Sequence, residues 1–206
     1  MSLFTAQQLT ERARLEIRRV DNSYGQDFQK RSKTILAESR NSQSSTNNLK
    51  KEFDIFLSHS SDDAEQVLGL KLIIEDLGHS VYIDWIDDPQ LDRKKVDKAT
   101  AKLLKHRMGK SKCLFYAFSE NSNQSKWMPW ELGYFDALKN KVAILPISQT
   151  AKPEFKGTEY LGLYYYIDIA PVSSTGKNAL WVRESQDTYI IFNSWLNKEN
   201  AEPFKR

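Results

Sequence analysis

The fold is decided by the stretch FDIFLSHS, residues Phe53–Ser60. Its apolar run predicts a buried strand, and the small polar residues at its end predict a turn. From Glu52 onward, short apolar runs of this kind alternate with segments of helical periodicity. Strands separated by single helices imply right-handed crossovers. We therefore predict an α/β domain with a central parallel sheet flanked by helices.

The elements that follow this strand can be placed from periodicity and from helix-terminating residues. Asp62 is predicted to cap a helix, with Glu65 as its capping-box partner, and Gly78 is predicted to end it. Asp63 is also interpreted as a capping residue. The other predicted strands are Ser80–Trp85, Lys112–Phe118, Val142–Ile147 and Leu163–Ile169, with a short edge strand at Trp181–Val182. The other predicted helices are Lys95–Arg107, Trp127–Leu138 and a closing helix over residues 186–197.

The N-terminal region has a different pattern of apolar residues. Residues 3–22 and 26–40 show helical spacing of apolar side chains, and the run from Asn41 to Asn48 contains no apolar residue. We predict that residues 1–48 form a helical N-terminal extension and linker, and that residues 49–206 form the α/β domain. The extension is expected to stay outside the sheet.

Composition excludes several classes of function. The chain has 206 residues and a net charge of +3, without the strong basic bias of a nucleic-acid-binding domain. No apolar run approaches the roughly 18 residues of a membrane span, and the N-terminus lacks a signal-peptide pattern, so we expect a cytoplasmic protein. Cys113 stands alone in a strand-like run and is expected in the core, and the scattered histidines predict no metal site.

The stretch WMPWEL, residues Trp127–Leu132, is the strongest functional signal. It places two indoles and one carboxylate at the start of a helix, a combination suited to a flat heterocycle beside a ribose. In parallel α/β sheets, ligands bind beyond the carboxyl ends of the strands. Ser58, His59, Ser60, Trp85 and the loop leading to Trp127 all fall at that end. The sequence therefore predicts a nucleotide pocket there.

Four blocks together resemble one known family. Asp54–Ser60, Val81–Asp84, the Trp127…Glu131-Leu132 pair and Ile144–Ile147 resemble a Toll/interleukin-1 receptor (TIR) domain, in the family's order and spacing. The resemblance covers about residues 52–197. It implies a flavodoxin-like fold and, because the helix carries a glutamate, similarity to the bacterial members that cleave NAD⁺.

The resemblance implies a role for each motif residue. Glu131 matches the catalytic glutamate, and NAD⁺ is the implied substrate, with no separate cofactor. The residues implied to bind the substrate are Phe56, Ser58, His59, Ser60, Asp84, Trp85 and Trp127. The loop Ile86–Arg93 matches a loop that closes the site and contacts a neighbouring subunit, so self-association is implied. In Thoeris-type anti-phage systems such a domain makes a product, linear or cyclic, that activates an effector protein.

The chemistry of NAD⁺ suits a single carboxylate. Nicotinamide leaves as a neutral molecule and needs no acid, so one carboxylate suffices to stabilise the oxocarbenium-like ribose. Pro129 is expected in the first helical turn, where it breaks no backbone bond. Of the two indoles, we predict that Trp127 contacts the nucleotide and that Trp130 is structural. Charge reversal at Asp88 in the 86–93 loop is expected to lower activity without unfolding.

Three other interpretations of the sequence remain open. Glu131 could cap its helix in a non-catalytic TIR scaffold that acts through self-association. A phosphorylated receiver domain shares the fold, but the predicted strand ending in Phe118-Ser119-Glu120 lacks the required aspartate. A nucleoside deoxyribosyltransferase-like enzyme would also use a glutamate, and would act on deoxynucleosides in place of NAD⁺.

Overall fold

A computed structural model describes residues 3–20, 51–88 and 97–205 of the chain. Its strands are β1 (Phe4–Thr5), β2 (Phe53–Ser58), β3 (Val81–Tyr82), β4 (Ser111–Phe118), β5 (Val142–Ser148), β6 (Tyr165–Pro171), β7 (Asn178–Arg183), β8 (Thr188–Ile191) and β9 (Phe204–Lys205). Its helices are α1 (Ala6–Val20), α2 (Ala64–Asp76), α3 (Asp84–Asp87), α4 (Lys98–Gly109), α5 (Trp127–Lys139) and α6 (Phe192–Asn197).

Within the described residues these strands form one sheet in the order β3-β2-β4-β5-β6-β7-β8-β9, with β1 pairing to β5. All pairings from β3 to β6 are parallel, which confirms the predicted α/β sheet. From β6 to β9 the pairings are antiparallel. The predicted central parallel sheet is therefore extended by an antiparallel part, which the alternation of strands and helices does not predict.

Two local predictions fail in the antiparallel part. Trp181–Val182 was predicted as an edge strand, but β7 lies between β6 and β8. Residues 186–197 were predicted as one helix, yet Thr188–Ile191 form β8 and only Phe192–Asn197 are helical. Thr, Tyr and Ile are common in strands when a neighbouring strand is available to pair with them. Here that strand is β7, and local periodicity does not reveal the pairing.

The core lies on both faces of the sheet because side chains alternate along each strand. On β4, Cys113 and Phe115 pack on one face, and Leu114 and Tyr116 pack on the other. Cys113 is fully buried and free, as predicted, and its burial raises the pKa of the thiol well above the usual value. The α1 and α2 helices lie together, and Leu9 of α1 belongs to the Cys113 face of the core.

The N-terminal residues join the domain closely. Phe4 and Thr5 pair in parallel with Ile147 and Ser148 of β5, so the prediction that this region stays outside the sheet is wrong for β1. Leu9, Ala13 and Ile17 of α1 are buried. The predicted helix over residues 26–40, the linker and the boundary at residue 48 lie outside the described residues, so the division into extension and domain stays a prediction.

The turn after β2 starts differently from the prediction. A 3₁₀ turn, Ser61–Asp63, precedes α2, and Ser60 Oγ accepts a hydrogen bond from the Asp62 amide at 3.4 Å. Asp62 is therefore not the cap of α2. Gly78, with φ of 89°, follows the C-terminus of α2 as predicted. No helix among the described residues is long and apolar enough to cross a bilayer.

Candidate active site

Glu131 lies at the carboxyl end of the parallel strands, inside the protein. It sits in the second turn of α5, is fully buried, and its Oε2 accepts a hydrogen bond from Ser58 Oγ at 2.6 Å. Ser58 is the last residue of β2 and is also fully buried. Pro129 falls in the first turn of α5, as predicted, where its missing N–H costs no helical bond. Glu131 therefore does not cap the helix, because it faces the end of β2.

Aromatic rings form the wall beside this carboxylate. Trp127 is only 7% exposed and packs in the same cluster as Phe56 of β2. Its ring meets Trp130 edge to face, with centroids 5.3 Å apart. Trp130 is partly exposed and stacks on Tyr134 at 5.7 Å. The ring predicted to be structural is thus the more exposed of the two, which bears on their assignment below.

Tyr116 is a neighbour of this site that the motifs did not reveal. It pairs with Ser58 in the β2–β4 register, and its hydroxyl hydrogen-bonds Tyr160. Burial raises the pKa of the Tyr116 phenol, and Tyr160 and the charge of Glu131 raise it further. Tyr116 therefore stays neutral beside Glu131. Alternation along β4 places it on the inner face, but only the register shows that it lies opposite Ser58.

The buried residues His59 and Asp84 form a second group with the partly buried Trp85. The Trp85 indole N–H donates to His59 Nε2 at 3.1 Å, so Nδ1 carries the proton and donates to the Leu57 carbonyl at 2.8 Å. Asp84 Oδ1 lies 3.3 Å from the same Nε2. The structure thus brings these three predicted residues together, but each ring nitrogen of His59 bonds within the protein. Their contact with substrate stays a prediction.

A buried carboxylate joins the two loops that carry the site. Asp63 is 3% exposed, and it accepts hydrogen bonds from Ser119 Oγ through Oδ2 and from Asn121 Nδ2 through Oδ1 at 2.7 Å. Ser60 and Asp63 belong to the loop after β2, and Ser119 and Asn121 to the loop before α5. Asp63 was predicted as a helix cap, but its side chain makes no cap bond. It holds the Ser58 loop against the Glu131 helix.

The first part of the predicted subunit-contact loop is buried. Ile86 is 1% exposed, and Asp88 accepts two hydrogen bonds from the fully buried Arg107, at 2.7 and 2.8 Å. Tyr82 Oη donates to the same carboxylate at 2.9 Å. Asp88 is therefore part of the scaffold, and we expect its charge reversal to destabilise the fold, in contrast to the sequence-based prediction. Residues 89–93 of this loop lie outside the described residues.

Comparison with known families accounts for this arrangement. Residues 55–179, more than half of the chain, match the family described as the TIR domain. The chain belongs to the TIR domain family. The matched part of this TIR domain includes Glu131, Ser58 and every strand of the parallel half from β2. The match ends at the start of β7, so the antiparallel strands β8 and β9 follow the matched TIR domain.

Two curated relatives are similar in sequence to this TIR domain. A protein of Bacillus cereus (strain MSX-D12), named "Probable 3' cyclic ADP-D-ribose synthase ThsB'", is 52% identical over 149 residues, 72% of this chain and 77% of the relative. A protein of Cytobacillus dafuensis, named "Putative cyclic ADP-D-ribose synthase TIR2", is 32% identical over 106 residues, 51% of this chain and 28% of the relative. Both relatives are named for the synthesis of a cyclic nucleotide.

Proposed function

We propose that this TIR domain cleaves NAD⁺ at the nicotinamide–ribose bond and closes the ADP-ribose into a cyclic product. The observation that carries the proposal is the buried carboxylate of Glu131, oriented by Ser58 at the ligand-binding end of the sheet. The names of the two relatives support the cyclic product, and the higher-identity relative leads us to expect the 3' isomer.

The reaction requires little from the protein beyond one well-placed charge. The bond between ribose C1' and the nicotinamide nitrogen breaks, and its electron pair returns to the ring, which leaves neutral. Positive charge then grows on the ribose, and the carboxylate of Glu131 stabilises it. The hydrogen bond from Ser58 fixes the direction of that carboxylate before the reaction starts.

The second step decides between two products. If a hydroxyl of the adenosine half attacks C1' and loses its proton, the product is cyclic; if water attacks, the product is linear ADP-ribose. The burial of Glu131 and Trp127 limits access of water to the ribose. Neutral Tyr116 lies beside the same carboxylate and adds no charge there. These features support cyclisation over hydrolysis.

The direct test is to incubate the protein with NAD⁺ and to identify the products by chromatography and mass spectrometry. We expect nicotinamide and a product lighter than ADP-ribose by one water. Glu131→Gln removes the charge at nearly constant shape and is expected to lower turnover at least about a hundredfold. Glu120→Gln, on the exposed loop before α5, is the matched control and should keep normal turnover.

The same experiment separates the alternatives. A folded wild-type protein that releases no nicotinamide at any concentration would favour the non-catalytic scaffold. Release of a free base from deoxynucleosides, without cleavage of NAD⁺, would favour the deoxyribosyltransferase hypothesis. Normal turnover in folded Glu131→Gln would refute the assignment of Glu131.

We also propose the wider setting that the family resemblance implies. The protein acts in the cytoplasm in anti-phage defence, copies associate through the 86–93 loop, and the product activates an effector protein. If the associated form completes the site, specific activity rises with protein concentration. A flat specific activity from nanomolar to high micromolar protein would contradict association as a requirement for activity.

A further inference from the structure

A cleft of about 650 Å³ opens between the start of α4 and the start of α5. The indoles of Trp127 and Trp130 and the methyl group of Ala101 form its wall. Among the described residues, four with charged side chains line its rim: Asp97, Lys98, Lys105 and Lys126. We call this feature the lysine cleft. Nothing in the reaction of Glu131 itself accounts for it.

The charge around the lysine cleft favours an anion. Among the described residues of its lining, three ammonium groups accompany one carboxylate, and Asp97 Oδ1 already accepts the Thr100 amide at 2.8 Å as the cap of α4. The three lysines are exposed, so each attracts an anion weakly and in a salt-dependent way. Together they suit a group that carries two negative charges on adjacent phosphates.

The rings of the lysine cleft are held in fixed positions. Trp130 is fixed between Trp127, edge to face at 5.3 Å, and Tyr134, stacked at 5.7 Å. Lys105 Nζ lies 5.9 Å from the Trp130 centroid and 5.0 Å from that of Tyr134, so it also holds this pair. A partly exposed indole with a fixed orientation is a stacking surface for a flat heterocycle.

Trp127 connects the lysine cleft with the surroundings of Glu131. Trp127 and Glu131 are four positions apart on α5, so both side chains lie on the same face of the helix. Trp130 is three positions from Trp127 and lies toward the cleft. Trp127 is therefore the shared wall, with the carboxylate on one side and the lysines on the other.

We propose that the lysine cleft binds the adenosine diphosphate half of the substrate, with the diphosphate at the three lysines and the adenine against Trp130. This inference rests on the proposed function, which supplies the nucleotide. It assigns the nicotinamide riboside half to Glu131 and Trp127. It also reverses the sequence-based role of Trp130, from structural ring to binding surface.

The test compares two triple variants with the same net charge. Lys98, Lys105 and Lys126 are changed to Gln together, and the matched control changes Lys177, Lys198 and Lys205, which are exposed elsewhere. The probe is ADP, titrated by calorimetry. We expect the cleft triple to weaken ADP binding at least about tenfold and to flatten its salt dependence, and the control triple to change it less than about twofold.

Turnover supplies the second readout. In the cleft triple, KM for NAD⁺ is expected to rise by a similar factor while kcat changes little, because the lysines contact the substrate far from the breaking bond. Trp130→Ala is expected to weaken ADP binding about tenfold and to leave inorganic pyrophosphate binding unchanged, since pyrophosphate has no ring to stack.

Each outcome decides for or against the proposal. Unchanged ADP affinity and KM in the cleft triple, or equal losses in both triples, would overturn it. Loss of ADP binding only in the cleft triple supports it even if NAD⁺ is never cleaved, in which case the proposed function fails alone. Normal NAD⁺ cleavage with a normal KM in the cleft triple would leave the proposed function intact and refute the lysine cleft.

Discussion

Buried carboxylates among the described residues differ in their partners. Asp88 and Asp168 each meet a buried arginine, at 2.7 Å to Arg107 and 2.6 Å to Arg183. Glu131 instead accepts a hydrogen bond from the neutral hydroxyl of Ser58. A carboxylate that contacts a guanidinium has its charge offset within the scaffold. A carboxylate that a hydroxyl orients at the ligand-binding end of the sheet is suited to stabilise a cationic transition state.

The largest effect on stability is expected where a buried arginine loses the carboxylate that compensates its charge. Asp88→Asn leaves the guanidinium of fully buried Arg107 without its carboxylate, and we expect the free energy of unfolding to fall by about 3–5 kcal/mol. Asp76→Asn, in the exposed pair with Arg12, is the control and should cost less than about 1 kcal/mol. Chemical denaturation measures both.

Glu131→Gln is expected to show the opposite pattern to Asp88→Asn. It should lose turnover and retain the unfolding free energy to within about 1 kcal/mol, because an amide still accepts the Ser58 hydrogen bond. If Glu131→Gln unfolded as readily as Asp88→Asn, the distinction between the two kinds of carboxylate would be lost.

An uncharged part of the scaffold offers a second test. A Cβ on Gly69 would lie 1.8 Å from the Leu9 carbonyl oxygen, so Gly69→Ala must push α1 away from α2. We expect it to destabilise the protein by about 1–3 kcal/mol, as overpacking does. Gly133→Ala on α5 meets no atom within 4 Å and should instead stabilise by up to about 1 kcal/mol.

Thermal unfolding of the two glycine variants is the measurement. Below its melting temperature Gly69→Ala should keep normal turnover, because Gly69 lies on the helix that contacts α1 and not beside Glu131. A large loss of turnover in a folded Gly69→Ala protein would mean that the packing of α1 on α2 affects the position of Glu131.

The smallest effect is expected at Asp63. Asp63→Asn replaces one of the two accepting oxygens by an amide nitrogen, so the hydrogen bonds from Ser119 and Asn121 cannot both keep their present direction, and we expect a loss of about 1 kcal/mol in stability and a severalfold fall in kcat. The double variant Asp63→Asn, Asn121→Asp restores a donor facing an acceptor and should recover kcat. A single variant with unchanged kcat would show that this contact does not position Glu131.

The sequence predicted the parallel half of the fold well, because its signals are local. The predicted strands at Lys112–Phe118 and Val142–Ile147 agree with β4 and β5 to within one residue at each end. Ser58 and Glu131 were both predicted at the site, since strand ends and helix starts share one edge of a parallel sheet. Their direct hydrogen bond is the geometric result of that arrangement.

The predictions that differ from the structure share one physical cause. The contacts of Asp88 with Arg107 and of Asp63 with Asn121 join residues 19 and 58 positions apart. Local patterns describe each residue's own segment, so Asp88 was assigned to a surface loop and Asp63 to a helix cap. Pairing with β7 likewise turned Thr188–Ile191 into a strand. Long-range partners decide these positions, and no local period encodes them.

The lengths of the outermost strands limit how copies of the protein can associate. Among the described residues, the sheet ends at β3 on one side and at β9 on the other, and each of these strands has two residues. An incoming strand would find few backbone groups to pair with at either border, which disfavours edge-to-edge joining of sheets. Copies that associate as proposed would therefore do so through helices and loops, and we expect inhibitors that mimic a β-strand to bind this protein weakly.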